Sequence, residues 1–320
     1  MNARAAAFEA RIVAMRLEAD NVMSVELRAQ GDDTLPEWQP GAHVDLVLPS
    51  GLVRQYSLCG DPQERRSLRI AVLREAAGRG GSREVHDVLR VGQSVTLRGP
   101  RNAFELAPAD DFLFVAGGIG ITPLMPMLRA AQRANARWRL RYGGRTRASM
   151  AFVDELLAWG GERVSILPAD ETGLLDLDAV VAAARTGAQV YSCGPGVLLD
   201  ALGARFDAAG LASQLHIERF SAAPLAPVAQ TEGTLRVFLA RSGEQVDVPP
   251  DCSVMHALRA AGHEVPSSCE QGVCGMCETR VLDGVPDHRD QLLTQSERER
   301  GNVMMLCVSR AQTPTLTLDL

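Results

Sequence analysis

Cys269, Cys274 and Cys277 stand in a Cys-x4-Cys-x2-Cys spacing, and Cys307 follows after a further 29 residues. Thiolates are soft ligands, and this is the plant-type spacing in which four of them hold a [2Fe–2S] cluster. A loop that wraps a cluster must turn sharply and aim amides at sulfur, freedom that Gly272 and Gly275 supply. Zinc is the competing ligand, but zinc ribbons pair two short Cys-x-x-Cys knuckles and here the fourth cysteine stands alone. Cys252 lies outside the spacing and reads as a structural thiol.

A second chemical signal is Phe-Leu-Phe-Val-Ala-Gly-Gly-Ile-Gly-Ile-Thr-Pro, residues 112–123. An apolar strand runs into Gly117, Gly118 and Gly120, and Thr122 and Pro123 suit the N-cap and first position of a helix. Exposed amides and the dipole of such a turn favour a pyrophosphate, although a glycine turn that merely packs strand on helix is the plainer alternative. The Gly-x-Gly-x-x-Gly fingerprint of dehydrogenases is missing. Cys193, Gly194 and Pro195 repeat the idea at a later strand end, where Cys193 suits either a packed thiol or a neighbour of nicotinamide.

The third signal is Arg54-Gln-Tyr-Ser-Leu-Cys-Gly, which offers a cation, an aromatic ring and a hydroxyl within four residues. A flavin needs charge for its phosphate, a face for its ring and hydrogen bonds for its polar edge. Gly78-Arg-Gly-Gly-Ser82, before a short predicted helix, is a further anion-binding turn.

Around these signals the chain divides into three stretches. Residues 1–107 read as short strands, at 22–28, 43–48, 54–58, 68–74 and 94–98, and suggest an antiparallel β-barrel or sandwich. Residues 108–220 alternate strand and helix: 112–116, 124–134, 138–142, 150–159, 164–167, 177–184, 190–193, 197–209 and 215–218. That rhythm predicts an α/β domain with a parallel sheet. Residues 221–232 carry two prolines and read as a linker. Residues 233–320 follow with a hairpin, a helix over 254–261 and the cysteine loop; this stretch holds 12 acidic against 8 basic residues, −4 of the net −6.

That acidic balance argues against nucleic acid, whose phosphates reward basic surfaces. The longest uncharged stretch, 112–128, is broken by glycine and proline and would span a membrane poorly. Seven cysteines, four of them crowded together, do not make an evenly paired secreted framework, so the cytoplasm is expected.

Taken in order, these motifs resemble the phthalate dioxygenase reductase and vanillate O-demethylase reductase group, ferredoxin–NADP reductase relatives with a C-terminal plant-type ferredoxin. The resemblance covers all three stretches, implies an α+β ferredoxin-like (β-grasp) domain for 233–320, and is especially close to the vanillate branch in Gly-Leu-Val-Arg-Gln-Tyr-Ser-Leu-Cys-Gly. It implies FMN rather than FAD, held by Arg54, Gln55, Tyr56, Ser57, Val72, Leu73, Arg74, Gly80, Gly81, Ser82 and Arg83, with Thr122 nearby and Phe220 covering the ring. It implies NADH on Gly117, Gly118, Gly120, Arg145, Cys193, Gly194 and Pro195, and a terminal Rieske-type oxygenase as electron acceptor. No residue is expected to act as catalytic nucleophile or general acid. Arg145 and Arg147 also suit a 2′-phosphate, and no acidic residue stands between 143 and 150 to choose NADH directly, so the resemblance carries that choice. A stand-alone flavin reductase with its own substrate, or a redox-sensing module, are the alternatives.

Overall fold

The structure, a computed structural model, describes residues 7–29, 34–76, 78–221 and 233–320; the expected linker lies, from 222 onward, outside the described residues. Two compact units are formed, Met1–Arg219 and Phe220–Leu320.

The first unit opens with six antiparallel strands, β1 (Ala7–Ala19), β2 (Val22–Ala29), β3 (Ala42–Val47), β4 (Val53–Ser57), β5 (Ser67–Leu73) and β6 (Ser94–Asn102), with helix α1 (Gly81–Asp87) before β6. Their order is β4-β3-β6-β1-β2-β5. A bridge between Leu58 and Ile70, and the Cys59 amide on the Arg69 carbonyl at 2.8 Å, bring the two outer strands together. The sheet thus closes into the expected barrel, filled by Ile12, Val25, Leu27, Val44, Leu46, Leu68 and Ile70. Strand β1, 13 residues long, has no counterpart among the strands read from sequence. Register shifts at Ile12/Ala14 and Leu17/Ala19 break its alternation of apolar and polar residues, the period that marks a half-buried strand.

The parallel sheet follows: β7 (Asp111–Gly117), α2 (Ile121–Arg133), β8 (Arg137–Gly144), α3 (Val153–Gly160), β9 (Val164–Pro168), a single turn α4 (Ala169–Thr172), α5 (Leu177–Arg185), β10 (Gln189–Cys193), α6 (Gly196–Ala209) and β11 (Leu215–Glu218). Its order, β11-β10-β7-β8-β9, means the chain reverses direction of travel between β7 and β10. Helices α2 and α3 cover one face, in a core that also takes in Val22, Cys59, Ala71 and Phe104 from the barrel side. Helices α5 and α6 cover the other.

The second unit has β12 (Leu235–Leu239), β13 (Gln245–Val248), α7 (Val254–Ala260), β14 (Glu278–Asp283), β15 (Pro286–Asp287), α8 (Gln295–Arg300), β16 (Val303–Met305), β17 (Arg310–Ala311) and β18 (Thr315–Leu318). Its main sheet, β13-β12-β18-β14-β16, is mixed, since β12 and β18 run parallel while the other pairs are antiparallel. Met255, Leu258, Met304 and Leu306 fill the space between α7 and the sheet and carry the cysteine loop on their rim.

Candidate functional site

The barrel strand β4 carries the first group. Arg54 donates from Nη2 to the Arg79 carbonyl at 3.0 Å, and its Cγ and Nε lie 2.5 Å from where a side chain on Gly81 would begin. Arg54 and the turn Gly80-Gly81-Ser82-Arg83, far apart in sequence, are thereby one surface. Gly80 has φ +88°, and a Cβ placed there would meet nothing within 4 Å, so the turn is left-handed and faces open space. Ser82 Oγ accepts the Glu75 amide at 3.0 Å, which closes the loop before α1, and Arg83 is exposed. The far end of α1 is tied to β5: a ring nitrogen of His86 bonds the Val72 carbonyl at 2.9 Å, and Arg74 reaches Asp87 at 2.8 Å. The Val72 side chain belongs to the barrel core, and Leu73 packs against the neighbouring core beneath the parallel sheet.

The residues fit a flavin. Burial pushes the Tyr56 phenol above its usual value, with Arg54 opposing and Glu84 adding to the rise. Strand register sets Gln55 opposite Asp45 and Ser57 opposite His43. Gln55 Nε2, Asp45 Oδ2 and His43 Nε2 are all buried without a hydrogen-bond partner, beside the ion pair that Asp45 Oδ1 makes with Arg101 Nη2 at 2.8 Å. Burial, followed by Arg101, holds His43 down to about 3 and therefore neutral.

The second group sits where β7 and β10 diverge, the crevice in which open α/β sheets bind ligands. Here the glycines separate into two kinds. A Cβ on Gly120 would lie 2.2 Å from the Cys193 carbonyl oxygen, one on Gly117 2.6 Å from Pro195 Cδ, and one on Gly194 3.0 Å from the Gly117 Cα. Those three let one turn pack on the other. Gly118, at φ +55° with nothing within 4 Å, alone faces open space. The sequence expectation of Thr122 as N-cap is corrected: a 3₁₀ turn, Gly118–Gly120, leads straight into α2, and Thr122 Oγ1 donates to the Ile119 carbonyl at 3.0 Å. Pro123 falls in the first turn of α2, where a missing N–H loses no helical bond.

Cys193 is fully buried, and burial, reinforced by Glu218, raises its thiol well above the usual range. Glu218 stands in His-Ile-Glu-Arg-Phe, the run that ends on Phe220, and carries no role from the sequence reading. It pairs in register with Cys193, its Oε2 is buried without a partner, and burial pushes its carboxyl up to about 8. A carboxylate ending a strand two residues before Phe220 is the one local signal that points to it. Phe220 itself is half-exposed at the start of the second unit. At the end of β8, Arg145 is exposed, whereas Arg147 pairs with Glu171 from α4 at 3.3 Å. The open clefts lined by Asp111, Arg137 and Arg139, and by Phe8, Leu35 and Arg65, contain none of these residues.

The third group is the cysteine loop. Cys269 lies within hydrogen-bond reach of Cys274 and Cys307, and Cys277 of Cys307. Hydrogen bonds from those neighbours hold Cys269 and Cys277 below the usual thiol range and push Cys274 and Cys307 above it. The amides of Gln271 and Val273 also point at Cys269, and that of Met276 at Cys274. Among the described residues no group of three or more His, Cys, Asp or Glu is arranged to hold a metal ion by itself. Four neighbouring sulfurs with amides directed at them are instead the donor set that an iron–sulfur cluster requires. Gly272 at φ +71° is closed in by Val308 and Asp290, and Glu270 at φ +53° is held by Arg259 of α7 at 3.1 Å. Cys252 is partly buried against the core of the same unit.

Comparison with known proteins bears on all three groups. Residues 237–312 match the 2Fe-2S iron-sulfur cluster binding domain. The chain is 47% identical over 315 residues to phenoxybenzoate dioxygenase subunit beta of Ectopseudomonas oleovorans, covering 97% of this chain and 96% of that one. It is 40% identical over 317 residues to vanillate O-demethylase oxidoreductase of Pseudomonas sp. (strain HR199 / DSM 7063), covering 98% and 99%. Among solved structures, phthalate dioxygenase reductase, described as a modular structure for electron transfer from pyridine nucleotides to [2Fe-2S], superposes with a TM-score of 0.72 at 37% identity over 98% of both chains. An intact type IV self-sufficient cytochrome P450 monooxygenase superposes with a TM-score of 0.89 at 43% identity, and there the chain spans only 41% of the longer protein.

Proposed function

Because this chain belongs to the family of phthalate dioxygenase reductase and vanillate O-demethylase oxidoreductase, we propose that it is the reductase component of an oxygenase system, moving electrons from NADH through FMN and a [2Fe–2S] cluster to an oxygenase. The observation that carries the reading is the gathering of Cys269, Cys274, Cys277 and Cys307 on the same chain as a barrel and a parallel sheet whose turns face open space. When bound, the flavin supplies a site that accepts electrons in pairs and releases them singly, and the cluster supplies a one-electron carrier.

The residues then have these tasks. Arg54 and the turn Gly80 to Arg83 hold the flavin phosphate, a charge-assisted contact that a guanidinium makes with two arms. Tyr56 presents its ring to the isoalloxazine, while Gln55 and Ser57 meet its polar edge. Val72, Leu73 and Arg74 border the same pocket, and Thr122 lies beside it. Gly118 admits the nucleotide; Gly117, Gly120, Gly194 and Pro195 fix the turn it meets; Cys193 and Glu218 border the nicotinamide, and Arg145 reaches the adenosine end. All of these residues orient and shield rather than exchange bonds with substrate.

A Rieske-type oxygenase is the proposed acceptor. A haem oxygenase is the second reading, favoured by the likeness to the self-sufficient cytochrome P450. The test is reconstitution of the cofactor-loaded chain with each class of oxygenase, scoring substrate loss driven by NADH, with chromatography of the flavin it releases. Turnover with a Rieske partner and release of FMN support the proposal; release of FAD, or turnover with neither partner, overturns it.

A further inference from the structure

One carboxylate joins the barrel to the parallel sheet. Glu155, in the first turn of α3, accepts from Arg69 Nη1 at 2.9 Å and from Arg69 Nη2 at 3.0 Å, a two-armed contact reaching out of β5. It also accepts from Arg129 Nη2, in α2, at 2.7 Å. Arg69 is itself bound to the end of the flavin strand: its Nη2 donates to the Cys59 carbonyl at 3.1 Å, and its own carbonyl accepts the Cys59 amide at 2.8 Å. Cys59 lies two residues beyond Ser57, and α2 begins directly after the turn Gly118–Gly120. Hydrogen bonds therefore run from Cys59, two residues past the strand bearing Arg54, Tyr56 and Ser57, through Arg69 and Glu155 to Arg129 in the helix that follows the glycine turn.

The path is braced on both sides. The Arg69 guanidinium lies 5.0 Å from the centre of the Phe152 ring, and that of Arg129 5.5 Å from the Trp159 ring. The Arg69, Arg129 and Glu155 side chains are only 21%, 28% and 32% exposed, so water competes weakly for them. Burial would raise the Glu155 carboxyl, yet the bond and charge of Arg69, with those of Arg129, hold it below its usual range, so the clamp stays charged. A guanidinium fork against a carboxylate has one preferred geometry, unlike an apolar contact, which tolerates sliding. A second bridge, Arg133 to Asp61 at 2.8 Å, joins the same two layers one turn further along α2, where it is more exposed.

We infer that Glu155 is a positioning residue for hydride transfer, clamped by Arg69 and Arg129 so as to fix the separation between the flavin strand and the nucleotide turn. The inference rests on the functional reading above. Reacting atoms must meet at near-contact, and a displacement of about 1 Å lowers the rate on the order of a hundredfold. The clamp touches neither cofactor's proposed contacts, so its loss is expected in the rate of the step rather than in affinity.

The test is anaerobic stopped-flow reduction of the full chain, loaded with flavin and cluster, over a range of NADH concentrations. Glu155→Ala is expected to lower the limiting rate about tenfold to a hundredfold, with the apparent Kd for NADH shifting less than about threefold. Arg69→Lys keeps the charge but loses the fork, and it should lose rate in the same way. Arg133→Ala, which removes a more exposed bridge between the same two layers, should keep a limiting rate within about twofold of wild type and cost little thermal stability. A wild-type limiting rate in both Glu155→Ala and Arg69→Lys, a loss confined to Kd, or an equal loss in Arg133→Ala overturns the inference. Should Glu155→Ala fail to retain flavin, Arg69→Lys and the milder Glu155→Gln carry the same reading. Failure of wild type itself to be reduced by NADH would refute the functional proposal; fully active variants beside an active wild type refute the clamp alone.

Discussion

Gly118 and Gly120 are two residues apart in one turn, yet a methyl group should do different damage at each. The Gly120 backbone is ordinary, at φ −63°, so alanine is excluded there only by its neighbours. Its Cβ would lie 2.2 Å from the Cys193 oxygen, 2.4 Å from the Cys193 carbon and 2.6 Å from the Gly194 nitrogen, all main-chain atoms with no rotamer to yield. Restoring even a 3.0 Å contact moves one turn against the other by about 0.8 Å. Overpacking of that kind costs roughly 1–3 kcal/mol, and a shift on the order of 1 Å beside the reacting atoms lowers the rate by up to about a hundredfold. At Gly118 nothing lies within 4 Å, but φ is +55°, and a side chain in that region costs about 1–2 kcal/mol. Its methyl would stand in the space proposed for the nucleotide. Gly120→Ala should therefore lose stability and kcat, and Gly118→Ala should chiefly raise KM for NADH. Urea unfolding and NADH-driven ferricyanide reduction measure both. Wild-type stability and kcat in Gly120→Ala would refute turn-on-turn packing, and an unchanged KM in Gly118→Ala would refute the proposed approach of NADH.

Three further outcomes follow from the sites. Cys274→Ala should abolish iron and sulfide binding while flavin reduction by NADH stays near wild type, measured by metal analysis and stopped-flow; normal electron delivery to an oxygenase by that variant would contradict the ligand set. Burial raises the Glu218 carboxyl from 4.5 to about 8, so the folded chain holds a proton that the unfolded chain releases; the resulting stability is full below about pH 4.5 and is lost as pH rises through 8. Glu218→Gln should flatten that decline in urea midpoints between pH 5 and 9, and identical slopes in the two proteins would show that the carboxyl titrates normally. Because Arg147 is already paired with Glu171, Arg145→Ala should lower kcat/KM for NADH more than Arg147→Ala does. A wild-type preference for NADPH that disappears in Arg145→Ala would reverse the choice of nucleotide.

Most of the architecture was legible in the sequence because the parallel sheet is built from short apolar strands, which betray themselves by composition. The strand expected at 164–167 is Val164–Pro168, and the helix expected at 197–209 is Gly196–Ala209. Strand β1 was hidden because bulges interrupt its alternation. The short strands β15 and β17 after the cysteine loop, two residues each, are too brief to carry any period. In the site, motifs contiguous in sequence were readable, and partnerships across the fold were not. Nothing local says that Arg54 covers Gly81, that Glu171 meets Arg147 or that Glu218 lies beside Cys193. Glycine identity misleads in the same way: Gly117, Gly118 and Gly120 read alike as ligand space, yet two of them are consumed by packing.

The central claim is that one chain takes electrons in pairs and passes them on singly through a cluster held by Cys269, Cys274, Cys277 and Cys307. Anaerobic titration of the cofactor-loaded protein with NADH, followed by absorbance and by electron paramagnetic resonance of the cluster, tests it directly. A two-electron flavin and a one-electron cluster together predict an endpoint at about 1.5 NADH per chain with a reduced-cluster signal. An endpoint at about 1.0 NADH, with no cluster signal from protein shown to contain iron and sulfide, would contradict the electron path.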